Sequence, residues 1–173
     1  MERKSTFGSI LLFGLITGIL MMLLSLLFYL LNVDQKSWIN TLVYLVLFAG
    51  MSWGVINIRE NRLNGVMSYG KAVGTGFWIG FIAAIIIAVY TYFYLTDLNP
   101  ESMQQALAQA ENKIIESQPD ISDEDLDRAM EMVKIFGKPS FSAVATVISN
   151  SLISIIFALI IAIFAKRHDR TIA

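Results

Sequence analysis

Four long stretches of this 173-residue chain contain no Asp, Glu, Lys, Arg or His. They cover residues 5–33, 37–58, 72–96 and 139–165. Each is long enough to cross a bilayer, which takes about 20 apolar residues at a rise of about 1.5 Å per residue. Because lipid offers no hydrogen bonds, an uninterrupted segment of this kind satisfies its backbone only as a helix. The sequence therefore predicts an all-α fold with four transmembrane helices, at residues 7–31, 38–58, 71–95 and 140–165.

The composition excludes several classes of protein. Hydrophobic residues make up 55% of the chain, more than the roughly 45 to 50% typical of soluble domains, so residues 1–173 are predicted to form one integral membrane domain. A formal net charge of −1 gives no field that would favour nucleic acid. The absence of cysteine removes disulfides and thiolate chemistry. Spans without ionisable groups also lack the usual charged coupling-ion site of a pump.

The basic residues are distributed unequally between the two sides of the membrane. Eight share the side of both termini and of the loop between the second and third helices: Arg3, Lys4, Arg59, Arg62, Lys71, Lys166, Arg167 and Arg170. Of the five on the other side, four lie in a long loop that also holds ten acidic residues. The positive-inside rule then places both termini in the cytoplasm of a multi-pass bacterial inner-membrane protein. The first apolar run, 10–31, exceeds the core of a signal peptide and is interpreted as a retained helix.

Residues 99–137 between the third and fourth spans are predicted to form an extracytoplasmic acidic helical hairpin. Asn99 and Pro100 can begin its first helix, and Ser122 can cap its second. The apolar positions recur at helical spacing, at Met103, Leu107, Ala110 and Ile114, then at Leu126, Met130, Val133 and Phe136. Gly137 and Pro139 end the second helix. The hairpin is expected either to pack on the outer mouth of a four-helix bundle or to lie at the lipid headgroups.

Small residues spaced four apart mark the helices as close-packed. The helix-packing glycines are Gly14, Gly18, Gly50, Gly54, Gly76 and Gly80. They are expected to pack helices within one subunit or, alternatively, to form a self-associating face. Gly8, Gly14 and Gly18 also recur in position as Gly70, Gly76 and Gly80, which raises the possibility of two duplicated helix pairs.

Polar side chains interrupt the fourth span near its midpoint, at Ser149, Asn150 and Ser151. Asn150 is expected to face the other helices and to bond to Thr17, Ser25, Ser52 or Thr75. These three residues are expected to hold helices together through hydrogen bonds or, alternatively, to line a substrate path.

The remaining charged groups show no catalytic, cofactor or metal site. The acidic run from Asp120 to Asp127 fails the EF-hand pattern, since Arg128 and Lys134 occupy the required glycine and glutamate positions. The single histidine, His168, has no catalytic partner. Arg59, Arg62, Lys71, Lys166 and Arg167 are expected to contact lipid headgroups or, alternatively, a cytoplasmic partner.

The segment from Asn64 to Ala72, NGVMSYGKA, followed by Gly74, Gly76 and Phe77, resembles a bacterial membrane family catalogued as domain of unknown function 4199. The resemblance extends over nearly the whole chain, with Asn99-Pro100 after the third span and a Lys/Arg-rich end. It implies the four-helix fold and no assigned activity. The resemblance also implies an accessory role, because such proteins are often encoded beside membrane-associated glycosyltransferases. The resulting hypothesis is a non-enzymatic accessory or scaffold subunit that binds lipid and a membrane protein or a second copy; the alternative is a small dimeric transporter or flippase-like carrier.

Overall fold

The structure, a computed structural model, describes residues 6–33, 38 and 41–167. Within this part of the chain the regular structure consists of six α-helices: α1 (Thr6–Leu30), α2 (Thr41–Arg62), α3 (Tyr69–Phe93), α4 (Glu101–Ser117), α5 (Asp123–Phe136) and α6 (Pro139–Ala165). A π-helical turn, Tyr94–Leu98, continues α3. The described residues form no strand apart from one isolated bridge between Met67 and Arg167. The all-α prediction is therefore confirmed for these residues.

Four of the described helices, α1, α2, α3 and α6, are long and apolar enough to cross a membrane. The prediction of four long apolar helices is confirmed for the described residues, and α1, α3 and α6 start within two residues of the predicted positions. The second span differs. Trp38 is described, but residues 39–40 are not, and α2 continues past the predicted end at residue 58 to Arg62. The end of α2 therefore carries charged side chains within a helix.

The long helices present large apolar side chains outward. Among those at least half exposed are Leu12, Leu23, Leu45, Val89, Leu152, Ile156, Ile163 and Phe164. A water-soluble protein does not leave so extensive an apolar surface uncovered. The four helices therefore indicate a multi-pass membrane protein.

The chain forms two compact units, and α3 and α6 contribute residues to both. The first unit holds the residues up to Ile87 together with those from Val147 onward. All four long helices contribute buried apolar side chains to its core, and Met51, Val55 and Ile79 are fully buried there. Over its most apolar 18 residues α3 is 50% buried, against 28% for each of the other three spans. α3 is therefore the most enclosed of the four long helices.

The second unit, Ala88–Thr146, contains the hairpin of α4 and α5. Ser122 caps α5 as predicted, its hydroxyl accepting a hydrogen bond from the Asp125 amide at 3.2 Å. The Asn99 side chain accepts from the Ser102 amide at 3.2 Å, as expected of a cap, but α4 begins at Glu101, one residue later than predicted. Met130 is buried, and the other predicted apolar positions on both helices are half-buried, except Phe136, which is exposed. Gly137 caps the end of α5, while Pro139 begins α6.

Candidate functional site

Two of the six predicted packing glycines join α1 to α3. A Cβ atom placed on Gly14 would lie 2.7 Å from Cβ of Ile82, and one on Gly18 would lie 2.9 Å from Cβ of Ile86. Real Cβ atoms do not approach this closely, so the two helices meet over bare glycine backbone. In lipid, such close approach supplies the dispersion contacts that hold helices together.

The other four glycines join α2 and α6 to their neighbours. Thr17 of α1 occupies the space beside Gly50, and Phe13 lies 3.0 Å from a Cβ placed on Gly54. On α3, Gly76 faces Ala158 and Gly80 faces Ser154, both from α6. The structure thus places all six of these glycines against helices of the same chain.

The glycines recur in position between the first and third helices, but their contacts do not correspond. Gly8 and Gly70 both face open space, but Gly14 meets α3 whereas its counterpart Gly76 meets α6. If the pair α1 and α2 were related by duplication to the pair α3 and α6, the contact of Gly14 with α3 would be matched by a contact of Gly76 with α1. The duplication therefore finds no support in how these glycines pack.

Several hydroxyl groups are buried within the first unit and donate along their own helices. The Thr17 hydroxyl donates to the Phe13 carbonyl at 2.7 Å, and the Ser154 hydroxyl donates to the Asn150 carbonyl at 2.7 Å. Ser52 donates in the same way to Phe48, also at 2.7 Å. In a dry environment the carbonyl four residues earlier is the nearest acceptor. Among the described residues, no buried side-chain nitrogen or oxygen lacks a hydrogen-bond partner.

The three polar residues near the middle of α6 have different environments. Asn150 is 8% exposed and faces inward, whereas Ser149 is exposed. Ser151 is half-buried and donates to the Val147 carbonyl at 2.6 Å. The expected bond from Asn150 to a hydroxyl of another helix stays a prediction.

The neighbouring residues Ser149 and Asn150 provide a matched pair of substitutions. Asn150→Leu should lower the free energy of unfolding by about 1 to 2 kcal/mol, because an inward polar contact is lost and a branched side chain is introduced. Ser149→Leu, on the outer face, should change it by less than about 0.5 kcal/mol. Thermal unfolding in mild detergent, followed by circular dichroism, measures both. Equal losses would contradict the inward placement of Asn150.

A charged cluster lies where the end of α2 meets the end of α6. Arg59 is only 6% exposed, and its Nη1 donates to the carbonyl oxygen of Ala165 at 2.9 Å. Its Nε and Nη2 donate to Oε1 of Glu60 at 3.0 and 2.7 Å. This corrects the expectation that Arg59 contacts lipid headgroups, because the α6 terminus and Glu60 already engage its guanidinium group.

The same cluster holds the loop between α2 and α3 against the end of α6. Met67 and Arg167 exchange two backbone hydrogen bonds, at 3.1 and 3.0 Å, and Nη1 of Arg167 lies 3.6 Å from Oε1 of Glu60. Sequence reasoning missed the roles of Glu60 and Met67. The signal for Glu60 was its position as the one acidic residue in the otherwise basic stretch 59–71.

The other predicted headgroup residues are more accessible. Lys71, Lys166 and Arg167 are exposed. Arg62 is exposed too, and its Nε donates to the hydroxyl of Ser9 at 3.1 Å. Contact of these four residues with headgroups stays a prediction.

The distinctive NGVMSYGKA segment forms the turn beside this cluster. Asn64 and Gly65 adopt positive φ angles of 52° and 80°, and the Gly65 amide donates to the Arg59 carbonyl at 2.9 Å. Glycine tolerates this conformation without steric cost, which lets the chain leave α2 and reverse. Met67 is then buried, and Ala72 is fully buried in the first turn of α3. The segment therefore places α3 relative to α2 and the end of α6.

A family model described as "Protein of unknown function (DUF4199)" matches residues 12–167. The chain belongs to this family. A search of curated proteins and a search of solved structures each found no match.

The described part of this DUF4199 member contains no group of three or more His, Cys, Asp or Glu side chains placed to hold a metal ion. His168, Arg170, Arg3, Lys4 and Lys36 lie outside the described residues. A shallow cavity of about 490 Å³ lies at the hairpin turn, lined by Gln118, Pro119, Asp120, Ile121, Ser122 and Asp125. Its charged lining is entirely acidic.

Proposed function

We propose that this DUF4199 protein is a non-enzymatic accessory or scaffold subunit that binds a membrane protein through its acidic hairpin. In this proposal the four spans form a bundle in the inner membrane, with cytoplasmic termini and an extracytoplasmic hairpin. The basic residues of the loop between α2 and α3 and of the end of the chain support this orientation. A membrane glycosyltransferase is the first partner to test.

The packing of the glycines limits how the protein can associate. All six predicted packing glycines lie against helices of the same chain, so a partner helix cannot use them without displacing an existing contact. The surfaces that remain are the outer faces of the spans and the hairpin. Of these, the hairpin carries the chemical pattern that can distinguish one partner from another.

The observation that carries the proposal is the exposed acidic start of α5. Glu124 and Asp125 have side chains 77% and 64% exposed, and Arg128 pairs with Glu124 at 2.6 Å. Asp120, Asp123 and Asp127 are exposed as well, which leaves this end of the hairpin negatively charged. Complementary charge directs association and selects partners more than it adds affinity. The partner surface is therefore expected to be basic.

Neutralising this surface should remove the partner while leaving the hairpin folded. We expect the triple variant D120N/D123N/D127N to lose most copurification of the partner in a mild-detergent pulldown analysed by mass spectrometry. Ser122 and Asp125, which form the cap of α5, are unchanged, so circular dichroism should show the same helix content. The matched control E101Q/E111Q/E116Q removes three charges from α4 and should retain the partner. Undiminished copurification with the α5 variant would contradict the proposal.

The carrier alternative is favoured by one observation, the buried polar group Asn150 in the first unit. If Asn150 lines a path, Asn150→Leu should abolish movement of solute or lipid in reconstituted vesicles. A homodimer that purifies with bound lipid or solute, and without a second protein, would also favour the carrier.

A further inference from the structure

The end of α5 carries an apolar patch that no part of the hairpin covers. Met132, Ile135 and Phe136 are 60%, 51% and 52% exposed. Their spacing of three and four residues puts them on one face of the helix. We call these three residues the α5 patch.

The α5 patch is distinct from the face that holds the hairpin together. Met130 is buried, Val133 is half-buried, and the end of α5 at Gly137 packs against Met103 and Leu107 of α4. Periodicity assigned Phe136 to that inner face, but the structure leaves its ring exposed. The hairpin therefore does not need the α5 patch for its own packing.

The patch occupies only the last part of its helical face. One and two turns earlier on the same face lie Arg128 and Asp125, whose side chains are 71% and 64% exposed. This face of α5 is thus charged at its start and apolar at its end. A soluble helix that merely covered another helix would keep its apolar stripe along its full length.

The neighbourhood of the α5 patch identifies what covers it. Phe136 lies edge-on against Phe141 with ring centroids 4.9 Å apart, and Phe141 belongs to the first turns of α6. α6 has 27 residues, about 40 Å at about 1.5 Å per residue, which exceeds a hydrocarbon core of about 30 Å. This excess length allows the first turns of α6 to reach the headgroup region, and the contact between Phe136 and Phe141 would hold the α5 patch at that level.

Two lysines at the same end of the hairpin fit a lipid surface. Lys134 and Lys138 are exposed, one within the last turn of α5 and one just after it. Long lysine side chains keep their charge at the phosphates while their stems cover apolar surface. Four of the five acidic residues of α5, which anionic lipid would repel, lie within its first five positions, and the fifth, Glu131, is exposed just before the α5 patch.

We propose that the α5 patch inserts into the membrane interface, so that the end of α5 lies among the headgroups and its acidic start points into water. The occupant of the patch is lipid, not a protein. This surface would hold the hairpin in a fixed pose on the membrane and display the acidic cluster away from it. It does not depend on the partner proposed above.

The chain contains no cysteine, so a single introduced cysteine can report the depth of this surface. Ile135→Cys carries a nitroxide spin label in the full-length protein, reconstituted in vesicles of phosphatidylethanolamine and phosphatidylglycerol. Glu124→Cys, near the other end of α5 and 77% exposed, is the matched control. Electron paramagnetic resonance then compares collisions with oxygen, which concentrates in lipid, and with a water-soluble nickel chelate.

We expect the label at residue 135 to collide more with oxygen than with the nickel chelate, and the label at residue 124 to show the reverse. Equal exposure of both labels to the nickel chelate would overturn the proposal, because the patch would then lie in water. Low collision rates with both reagents at residue 135 would also overturn it, because protein would then cover the patch. The measurement needs no partner, so loss of copurification in the pulldown and failure of lipid contact are separate results.

Discussion

Gly80→Leu should destabilise this protein more than any other single substitution considered. A Cβ atom at this position would lie 2.6 Å from Cβ of Ser154 and 3.1 Å from Sδ of Met51. Ser154 and Met51 are both fully buried and cannot move into free space. Overpacking of this kind costs about 3 kcal/mol at the upper end of its usual range. Thermal unfolding in mild detergent should show a markedly lower midpoint, or the variant should fail to purify as a monodisperse species.

Gly74→Leu is the matched control, six residues earlier on the same helix. A Cβ atom there would meet nothing within 4 Å, so we expect a change in unfolding free energy below about 0.5 kcal/mol. If Gly80→Leu does not accumulate in cells, Gly80→Ala supplies a smaller perturbation for the same comparison. A stable Gly80→Leu protein would show that α3 and α6 do not meet at this glycine.

Arg59→Met should release the end of α6 without unfolding the rest of the first unit. The substitution keeps an apolar stem but removes the donor to the Ala165 carbonyl, at 2.9 Å. Hydrogen bonds to charged groups contribute about 1.5 to 3 kcal/mol. The Glu60 side chain is 44% exposed, so its lost pairing is screened by solvent and adds little. We expect a local loss of about 2 kcal/mol, which corresponds to about a 30-fold increase in opening.

Hydrogen–deuterium exchange with mass spectrometry measures this opening directly. Peptides that contain the amides of Met67 and Arg167, which pair with each other, should exchange faster in the Arg59→Met variant. The buried middle of α3 should stay protected. Arg62→Met is the control, since Arg62 is exposed and makes its bond to the Ser9 hydroxyl. Equal effects of the two variants would mean that the buried guanidinium does not hold the α6 end.

The hairpin shows where sequence reasoning succeeds and where it fails. Ser122, Asn99 and the two apolar periods predicted its helices because capping and amphipathicity act over a few neighbouring residues. The same reasoning assigned Phe136 to the inner face and did not identify Met132 and Ile135 as an exposed patch. Which apolar residues of α5 are covered depends on how far the neighbouring helix α4 extends along it. The sequence of α5 alone does not show this.

Arg59 shows the same limit for charge. From the sequence, it belonged with Arg62 and Lys71 as an exposed cation beside the membrane. In the structure, α2 continues one turn further, and the C-terminal carbonyl of α6, more than a hundred residues away in sequence, accepts a hydrogen bond from its guanidinium group. A buried arginine is stable only where such partners meet.

Four long apolar helices, an acidic hairpin and the small residues available for close packing could all be predicted from the sequence. These follow from local rules, because lipid forces each apolar segment to satisfy its own backbone. The sequence did not show which helix each glycine meets, which cation is buried or which apolar side chains stay uncovered; the packing of the helices does. Those outcomes depend on contacts between residues far apart in the chain. Dispersion and hydrogen bonds act only over a few ångströms, so they form only after the helices have packed together.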